Sequence, residues 1–408
     1  MPANKPLIVR IALFSVVVVM VQFDTLVVSV VFQLPALAKS TSMKIHPRGF
    51  VASLVLLLSV VRPLQAEVLF HIYAPSPDEK KVLVVRATKA EGGLSLQKVQ
   101  DVEIGFPVST ITRHPSKPVL YVAPPSGGEG QARGALLGLK MDGTADVPVP
   151  FNFQHPSAYL KVDRSEKFLM SADYGSGCVD VYSMDDAGLA LKLASTTNEG
   201  RKLAHCIATT PDNQFAYVSY VKETNAIFQY RLDAASGKLS ALAPHNAEPP
   251  AGTGPRHMAF HPTKPILYFS NEQHLGVSAY NVHPNGQLSV RQIVDCFPKD
   301  QPKDGISSSD IVTTPDGKYL FAGIRGHTKP SDYISRYRIE PSGDLVFLGL
   351  TPSDKIPWGF AFSPDAQFLL VTAFEGATLT AFKVTTDGNL TPAGSLAWGK
   401  KISSITTR

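Results

Sequence analysis

Four polar residues stand at fixed distances from a recurring turn and carry side chains that can do chemistry. His205 and Arg256 each lie six residues before the proline of such a turn, and Glu272 and Arg325 each lie ten residues after one. A histidine or a glutamate can take a proton from water. Arginines offer fixed donors and positive charge to an oxyanion, a carboxylate or a phosphate. The four residues could therefore supply a base and an anion-binding pair.

The turns recur with a period near fifty residues. Each is followed by an apolar run rich in Tyr, Phe and Val, such as FAYVS or ILYFS, and each unit has a second, glycine-containing turn before its outer strand. The turn positions are Pro115, Arg164, Pro211, Pro262, Pro315 and Pro364, with steps of 49, 47, 51, 53 and 49 residues. A period of this length with four strands per unit is typical of β-propeller blades. Two separate β-sandwiches would not produce one period through the whole chain.

Six units have their own inner-strand turn, and a seventh is divided between the two ends of the repeat region. Residues 67–100 supply outer strands without an inner one, and residues 402–408 form a strand with no blade of its own. Pairing them would cover exposed sheet edges. The sequence thus predicts an all-β, seven-bladed β-propeller over residues 67–408, closed by the C-terminal strand pairing with the N-terminal blade.

This architecture would bring the four polar residues together. Equivalent positions of successive blades point at a common axis, and antiparallel strands joined by a turn place the start of one beside the end of the next. We therefore expect His205, Arg256, Glu272 and Arg325 to converge on one end of the central channel.

The basic charge of the chain comes from its N-terminal segment. Residues 1–66 carry six Lys or Arg and one Asp, which accounts for the whole formal net charge of +5, and residues 67–408 carry 33 basic and 33 acidic residues. The predicted propeller therefore has no electrostatic reason to bind nucleic acid.

Residues 1–66 have the features of a targeting segment. The stretch Ile11–Phe32 is strongly apolar, and a basic, then apolar, then small-residue pattern from Met43 predicts a signal peptide cleaved after Ala66. We expect a periplasmic or secreted protein whose N-terminal segment engages the export machinery or the membrane. Two alternatives remain open for residues 1–42: an over-extended reading frame, or a membrane helix that tethers the protein.

Other kinds of catalytic site lack a sequence signal. The three cysteines, Cys178, Cys206 and Cys296, have no metal-ligand spacing and are expected to be buried as small apolar side chains. No G-x-S-x-G nucleophile motif is present. We expect no metal and no cofactor.

Several segments resemble the lactonase family of seven-bladed β-propellers, typified by 6-phosphogluconolactonases. The segment from Ala251 to Pro262, AGTGPRHMAFHP, resembles the best-marked motif of that family. Asn271-Glu272, Ile324-Arg325-Gly326-His327 and Ala204-His205-Cys206 are similar to three further family segments. The similarity covers about residues 67–408.

The resemblance implies a metal-independent enzyme that acts on a small-molecule lactone. It implies a catalytic set of His205, Arg256, Glu272 and Arg325 and a substrate-binding pair of His257 and His327. The sequence departs from the family at Trp358, where an arginine is usual, and at Ile324, where a polar residue is usual. Both departures put a required substrate phosphate in doubt.

The leading functional hypothesis is hydrolysis of a sugar lactone by water activated at a His/Glu/Arg site in the channel. Either His205 or Glu272 could be the base, and Glu272 could instead orient an arginine. A lactone-forming enzyme similar to carboxymuconate cyclases would use the same arginines to hold carboxylates. A non-catalytic extracytoplasmic binding propeller is the alternative from another class.

Overall fold

The computed structural model describes residues 67–126, 132–297 and 303–408, and two short strands nearer the N-terminus. The chain divides into two compact units, Met1–Glu67 and Val68–Arg408. The second unit contains all the candidate site residues.

In the first unit, β1 (Val16–Gln22) and β2 (Thr25–Val31) form an antiparallel pair. These strands lie in the apolar stretch Ile11–Phe32, where a run of β-branched valines favours strands. Tethering of this segment to a membrane stays a prediction. The described residues contain no helix long and apolar enough to cross a bilayer. The predicted signal peptide from Met43 to Ala66 lies outside the described residues.

The second unit is a ring of seven four-stranded antiparallel sheets. Its first three strands are β3 (Val68–Ser76), β4 (Lys81–Ala90) and β5 (Gly93–Glu103). Blade 1 contains β6 (Thr110–Arg113), β7 (Val119–Ala123), β8 (Ala132–Gly138) and β9 (Val149–Phe153), and blade 2 contains β10 (Tyr159–Val162), β11 (Phe168–Ala172), β12 (Val179–Met184) and β13 (Leu191–Thr197). Blade 3 contains β14 (Ala204–Thr209), β15 (Phe215–Tyr220), β16 (Ala226–Leu232) and β17 (Leu239–Asn246).

The remaining blades follow the same order from the innermost strand outward. Blade 4 contains β18 (Pro255–Phe260), β19 (Ile266–Asn271), β20 (Gly276–Val282) and β21 (Leu288–Asp295), and blade 5 contains β22 (Ile306–Thr313), β23 (Tyr319–Gly326), β24 (Tyr333–Ile339) and β25 (Leu345–Pro352). Blade 6 contains β26 (Pro357–Phe362), β27 (Phe368–Ala373), β28 (Thr378–Val384) and β29 (Leu390–Ala397), and the chain ends with β30 (Thr406–Thr407).

Blade 7 is assembled from both ends of the repeat region. Strand β30 is its innermost strand and pairs antiparallel with β3, with Thr407 opposite Ile72 and Thr406 opposite Tyr73. The backbones of His71 and Arg408 exchange two further hydrogen bonds, of 2.8 and 2.9 Å. Both the seven-bladed ring and its closure by the C-terminal strand are therefore confirmed.

The core of each blade is its second strand. In β7, β11, β15, β19 and β27 every residue is buried, whereas outer strands such as β13 are mostly exposed. These second strands are the apolar runs that follow the recurrent turns, and they pack face to face with the sheets on either side. Burial of this set fixes the register of each blade.

Neighbouring blades are joined by a repeated tyrosine-to-turn contact. The buried Tyr217 of β15 donates a hydrogen bond of 2.8 Å to the carbonyl of Gly286, in the outer turn of blade 4. Gly286 has φ of 84°, and a Cβ there would lie 2.2 Å from the Phe215 ring, so only glycine fits. Equivalent tyrosine bonds join Tyr73 to Gly143, Tyr121 to Gly188 and Tyr268 to Gly343. The glycine turns seen in the sequence thus hold each blade against the next.

Candidate active site

A β-bulge near the start of the innermost strand distinguishes four successive blades. The ladder between the first two strands skips residues in β14, β18, β22 and β26. The skipped residues are His205, Arg256, His257, Ser309, Asp310 and Trp358. Bulges re-aim side chains and are frequent beside active sites. Here they turn polar and aromatic side chains of blades 3 to 6 toward the ring axis.

The innermost strands surround a central cavity of about 870 Å³. The structure brings five of the six predicted site residues to its wall: His205, Arg256, His257, Glu272 and Arg325. Glu272 follows the end of β19 and Arg325 lies near the end of β23, so both reach the same end of the channel as the bulged residues.

His327 is not brought to this wall. It is exposed, and its Nε2 lies 2.7 Å from the Ser307 hydroxyl. Strand β23 ends at Gly326, so His327 lies beyond the strand that carries Arg325.

Arg256, Glu272 and Arg325 form one buried ionic cluster. Arg325 Nη2 donates to Glu272 Oε1 over 2.7 Å and to the Ser308 carbonyl over 2.7 Å. Arg256 Nε lies 3.7 Å from the same Glu272 oxygen. The arginines are 1% and 3% exposed and the glutamate is 8% exposed. Two cations share one anion, so the cluster carries a net positive charge.

Charges within the cluster determine its protonation. Burial favours the neutral form of Glu272, but Arg256 and Arg325 outweigh it and hold the pKa of that carboxyl below its ordinary value. Burial, aided by Arg325, lowers the pKa of Arg256 to about 10, which still leaves it cationic at neutral pH. Glu272 is therefore an ionised partner of the arginines and a weak base.

Some donors of the cluster have no protein partner in the described part of the chain. These buried atoms are Nε and Nη1 of Arg256 and Nε of Arg325. A buried donor without a hydrogen bond is costly, so such groups are best explained by a ligand or water that they bind. Both arginines line the cavity, so its wall carries positive charge that can bind an anion.

Trp358 covers both arginines. Its ring centroid lies 5.5 Å from the Arg256 guanidinium carbon and 5.1 Å from that of Arg325, and it packs against the Phe374 ring at 4.9 Å. Cation–π contacts of this kind hold a guanidinium in place and shield it from water. Position 358, where the family usually has an arginine, is therefore part of this site. Its tryptophan supports the two arginines that remain, Arg256 and Arg325.

For the lactone substrate that the sequence resemblance implies, replacing Trp358 with Leu is expected to lower kcat/KM by about tenfold. The change removes two cation–π contacts worth about 0.5 to 2 kcal/mol each, and about 1.4 kcal/mol corresponds to tenfold in rate. Trp358→Phe keeps an aromatic face and should retain most activity. Trp398→Leu, outside the cavity, is the matched control. Equal losses in the Leu and Phe variants would contradict a cation–π role.

His257 and Asp310 form a second pair in the same cavity. His257 Nδ1 lies 2.7 Å from Asp310 Oδ1, and the backbone NH of Phe360 donates to Asp310 Oδ2 over 2.8 Å. Burial opposes ionisation of Asp310, but His257 and the backbone donors hold its pKa below the ordinary value. An ionised carboxylate only accepts, so His257 donates from Nδ1 and keeps a lone pair on Nε2. That Nε2 is buried and has no partner among the described residues.

His205 stands beside this pair. Its ring centroid is 5.0 Å from that of His257 and 5.8 Å from that of Tyr174. Burial first, then the charge of Arg256, lowers the pKa of His205 well below its ordinary value, so the ring is neutral. No carboxylate orients it, which distinguishes it from His257.

Asp310 is the functional residue that the sequence interpretation missed. It lies five residues before Pro315, as His257 lies five before Pro262. The spacing rule that grouped His205 with Arg256 would also have grouped His257 with Asp310 in adjacent blades. That signal was present but was not used.

Metal and cysteine chemistry find no support in the described residues. No three His, Cys, Asp or Glu side chains converge there as a metal-binding group. All three cysteines are buried, as predicted, and burial raises the pKa of Cys206 and Cys296 to about 12. A thiol with so high a pKa is not a nucleophile at neutral pH.

Comparisons with known proteins agree with the fold. Residues 71–405 match the family described as lactonase, 7-bladed β-propeller. A 6-phosphogluconolactonase of Enterobacter sp. (strain 638) is 28% identical over 320 residues, which are 77% of this chain and 91% of that protein.

Solved structures show the same fold. The periplasmic gluconolactonase of Pseudomonas aeruginosa superposes with a TM-score of 0.71 at 21% identity, covering 83% of this chain and 98% of that one. A candidate 6-phosphogluconolactonase of Bacteroides fragilis NCTC 9343 gives 0.72 at 20% identity, with 83% and 98% covered. The family match extends over nearly the whole ring, from within β3 to the residue before β30, and the chain is therefore an enzyme of the lactonase family of seven-bladed β-propellers.

Proposed function

We propose that this protein hydrolyses a sugar lactone in its central channel, with His257 as the base that activates water. The observation that supports this most directly is the His257–Asp310 pair, because His257 lines the same cavity as Arg256 and Arg325 and its Nε2 has no hydrogen-bond partner among the described residues. A base and an oxyanion site in one cavity are what ester hydrolysis needs.

The base has the arrangement of a histidine oriented by a carboxylate. Asp310 fixes the His257 tautomer and would stabilise the imidazolium formed when Nε2 takes a proton from water. The resulting hydroxide attacks the lactone carbonyl, and the same imidazolium can return the proton to the ring oxygen as the ring opens. His205 lies beside His257 and can position the water through its own neutral ring.

The arginines bind the charge that develops on the carbonyl oxygen. Arg256 Nη1 and Arg325 Nε have no hydrogen-bond partner among the described residues, and Arg256 Nε has only the ion pair with Glu272 at 3.7 Å. Glu272 holds Arg325 in place through its 2.7 Å bond rather than acting as the base. In this proposal Glu272 orients an arginine, and His257 is the base instead of His205 or Glu272.

The test is turnover of δ-gluconolactone and 6-phosphogluconolactone by the purified chain, followed as acid release at constant pH. We expect hydrolysis of at least one substrate, above the spontaneous rate and unchanged by EDTA. Failure on both lactones would reject the proposal. Loss of activity with EDTA that calcium or zinc restores would contradict the metal-free mechanism.

The pH profile reports the base directly. Burial, followed by Arg256, lowers the pKa of His257 below its ordinary 6.5, although Asp310 acts in the opposite direction. Only the neutral ring accepts a proton, so kcat/KM should stay level as the pH falls from 8 to 6.5 and decline only below the lowered pKa. A profile that already falls by half near pH 7 would exclude His257 as the base.

We place this activity outside the cytoplasm. The signal-peptide pattern from Met43 supports export, and a periplasmic gluconolactonase is among the structural relatives. The mature protein is expected to begin near Glu67, as measured by mass spectrometry of the N-terminal peptide from its native host. A soluble protein that retains Met1 would contradict export by cleavage.

A further inference from the structure

The cavity wall includes a lysine that takes no part in the proposed hydrolysis. Lys161 lies on β10, the innermost strand of blade 2, between the buried Leu160 and Val162. Alternation along the strand therefore turns its side chain to the channel, where it is in contact with the cavity and makes no ion pair with any described residue. Lys161 is the one lysine on the described wall.

The level of the channel that Lys161 occupies is otherwise lined by small side chains. It stands three residues before the turn position Arg164. The equivalent residues of the other five blades with such a turn are Thr112, Ala208, Ala259, Val312 and Ala361, all on the cavity wall. These short side chains leave room around the lysine, so its amine can reach a molecule held in the channel.

The lysine is also close to the reacting groups. Tyr159, two residues earlier on β10, packs against the His257 ring with centroids 5.0 Å apart. Two strand residues span roughly 6–7 Å, a distance that the four-carbon stem of lysine can cover. The amine therefore lies within reach of a lactone carbonyl placed beside His257.

We propose that Lys161 is an acylation site for lactones held in this channel, an inference that rests on the proposed function for its ligand. The neutral amine attacks the lactone carbonyl carbon, and the bond from that carbon to the ring oxygen breaks. The amine loses one proton and the ring oxygen gains one. The product is an amide on Lys161 with a free hydroxyl, and every atom of the lactone is retained.

The electrostatic surroundings favour the neutral amine. The Lys161 side chain is accessible in the channel, but the protein around the amine lowers its pKa, and the neighbouring Arg164 adds to this, with Cys206 and Asp310 acting in the opposite direction. Surface lysines have no such enclosure. Acylation fills the channel one level from the His257–Asp310 pair, so it should inactivate the enzyme as it proceeds.

The experiment treats the full chain with repeated additions of δ-gluconolactone and, separately, with acetic anhydride, and quantifies adducts by peptide mass spectrometry. We expect Lys161 to be modified at least tenfold faster than the exposed Lys238 by both reagents. Activity should fall at the rate of Lys161 modification, and Lys161→Arg should abolish both the adduct and the time-dependent loss.

The outcomes separate this inference from the hydrolase proposal. Equal labelling of Lys161 and Lys238 overturns the acylation site, even where lactone hydrolysis is normal. Rapid labelling by acetic anhydride but none by gluconolactone also overturns it, because the lactone then does not reach the amine. Selective gluconolactone labelling without any hydrolysis supports the acylation site and rejects the proposed function.

Discussion

Replacing His257 with Asn is expected to lower kcat by about 10²- to 10⁴-fold, the usual contribution of a positioned general base. Asn keeps a polar side chain of similar reach but cannot take a proton from water. The variant should keep its fold, since His257 is partly exposed to the cavity and its backbone lies in a bulge. Steady-state kinetics on the lactone substrate measures the loss of kcat, and thermal melting measures whether the variant keeps its fold.

Asp310→Asn should produce a loss of similar size for a different reason. An amide that donates to His257 Nδ1 forces the proton onto Nε2 and removes the lone pair that acts as base. The double variant should be no worse than either single one, because the two residues act as a unit. His283→Asn is the matched control, since His283 is exposed and bonded only to Ser289 among the described residues. Additive losses in the double variant would show that the pair is structural.

Removing residues 402–408 is expected to lower the melting temperature by at least about 10 °C or to prevent folding. Ile402 is fully buried and Ile405 is 8% exposed, and burying such side chains contributes about 1.5–3 kcal/mol each. The loss would also leave the hydrogen-bonding edge of β3 without its partner strand. Together these terms are a large part of the roughly 5–15 kcal/mol that stabilises a folded protein.

Blade-to-blade contacts add to this effect. Ser403 donates from its backbone to the Pro75 carbonyl over 3.1 Å and from its hydroxyl to Ser109 over 2.7 Å, and Thr372 donates to the Ser403 carbonyl. The segment thus links blades 6, 7 and 1. Calorimetry of the truncated chain beside Lys400→Ala, an exposed change next to the segment, measures the effect. Melting within two degrees of the intact protein would contradict closure by these residues.

Much of the fold could be predicted because the repeat is local. Each turn and the apolar run after it predict one hairpin, and the step of 47 to 53 residues predicts one blade. Closure followed by elimination, since residues 402–408 had no other strand to pair with. The structure of the N-terminal segment was less predictable, because apolarity alone does not distinguish a helix from valine-rich strands such as Val16–Gln22 and Thr25–Val31.

The sequence predicted which residues form most of the candidate site, but it did not predict the role of each residue. Spacing from the turn identified His205, Arg256, Glu272 and Arg325, and all four reach one cavity. The family resemblance also implied His327, which is exposed and does not line the cavity. The bulges in the innermost strands were not visible in the sequence, because a bulge depends on the register with the neighbouring strand.

By itself, the sequence determined the number of blades and the closing strand. It also determined how far along the channel each residue lies, because residues at the same distance from the recurrent turn occupy the same position in each blade. Only the tertiary structure decided which groups meet. Glu272 is bound by two arginines and is a weak base, whereas His257 has a carboxylate partner and a free Nε2. These protonation states depend on burial and on charges contributed by other blades, about fifty residues away in the chain, and no local pattern records those distances.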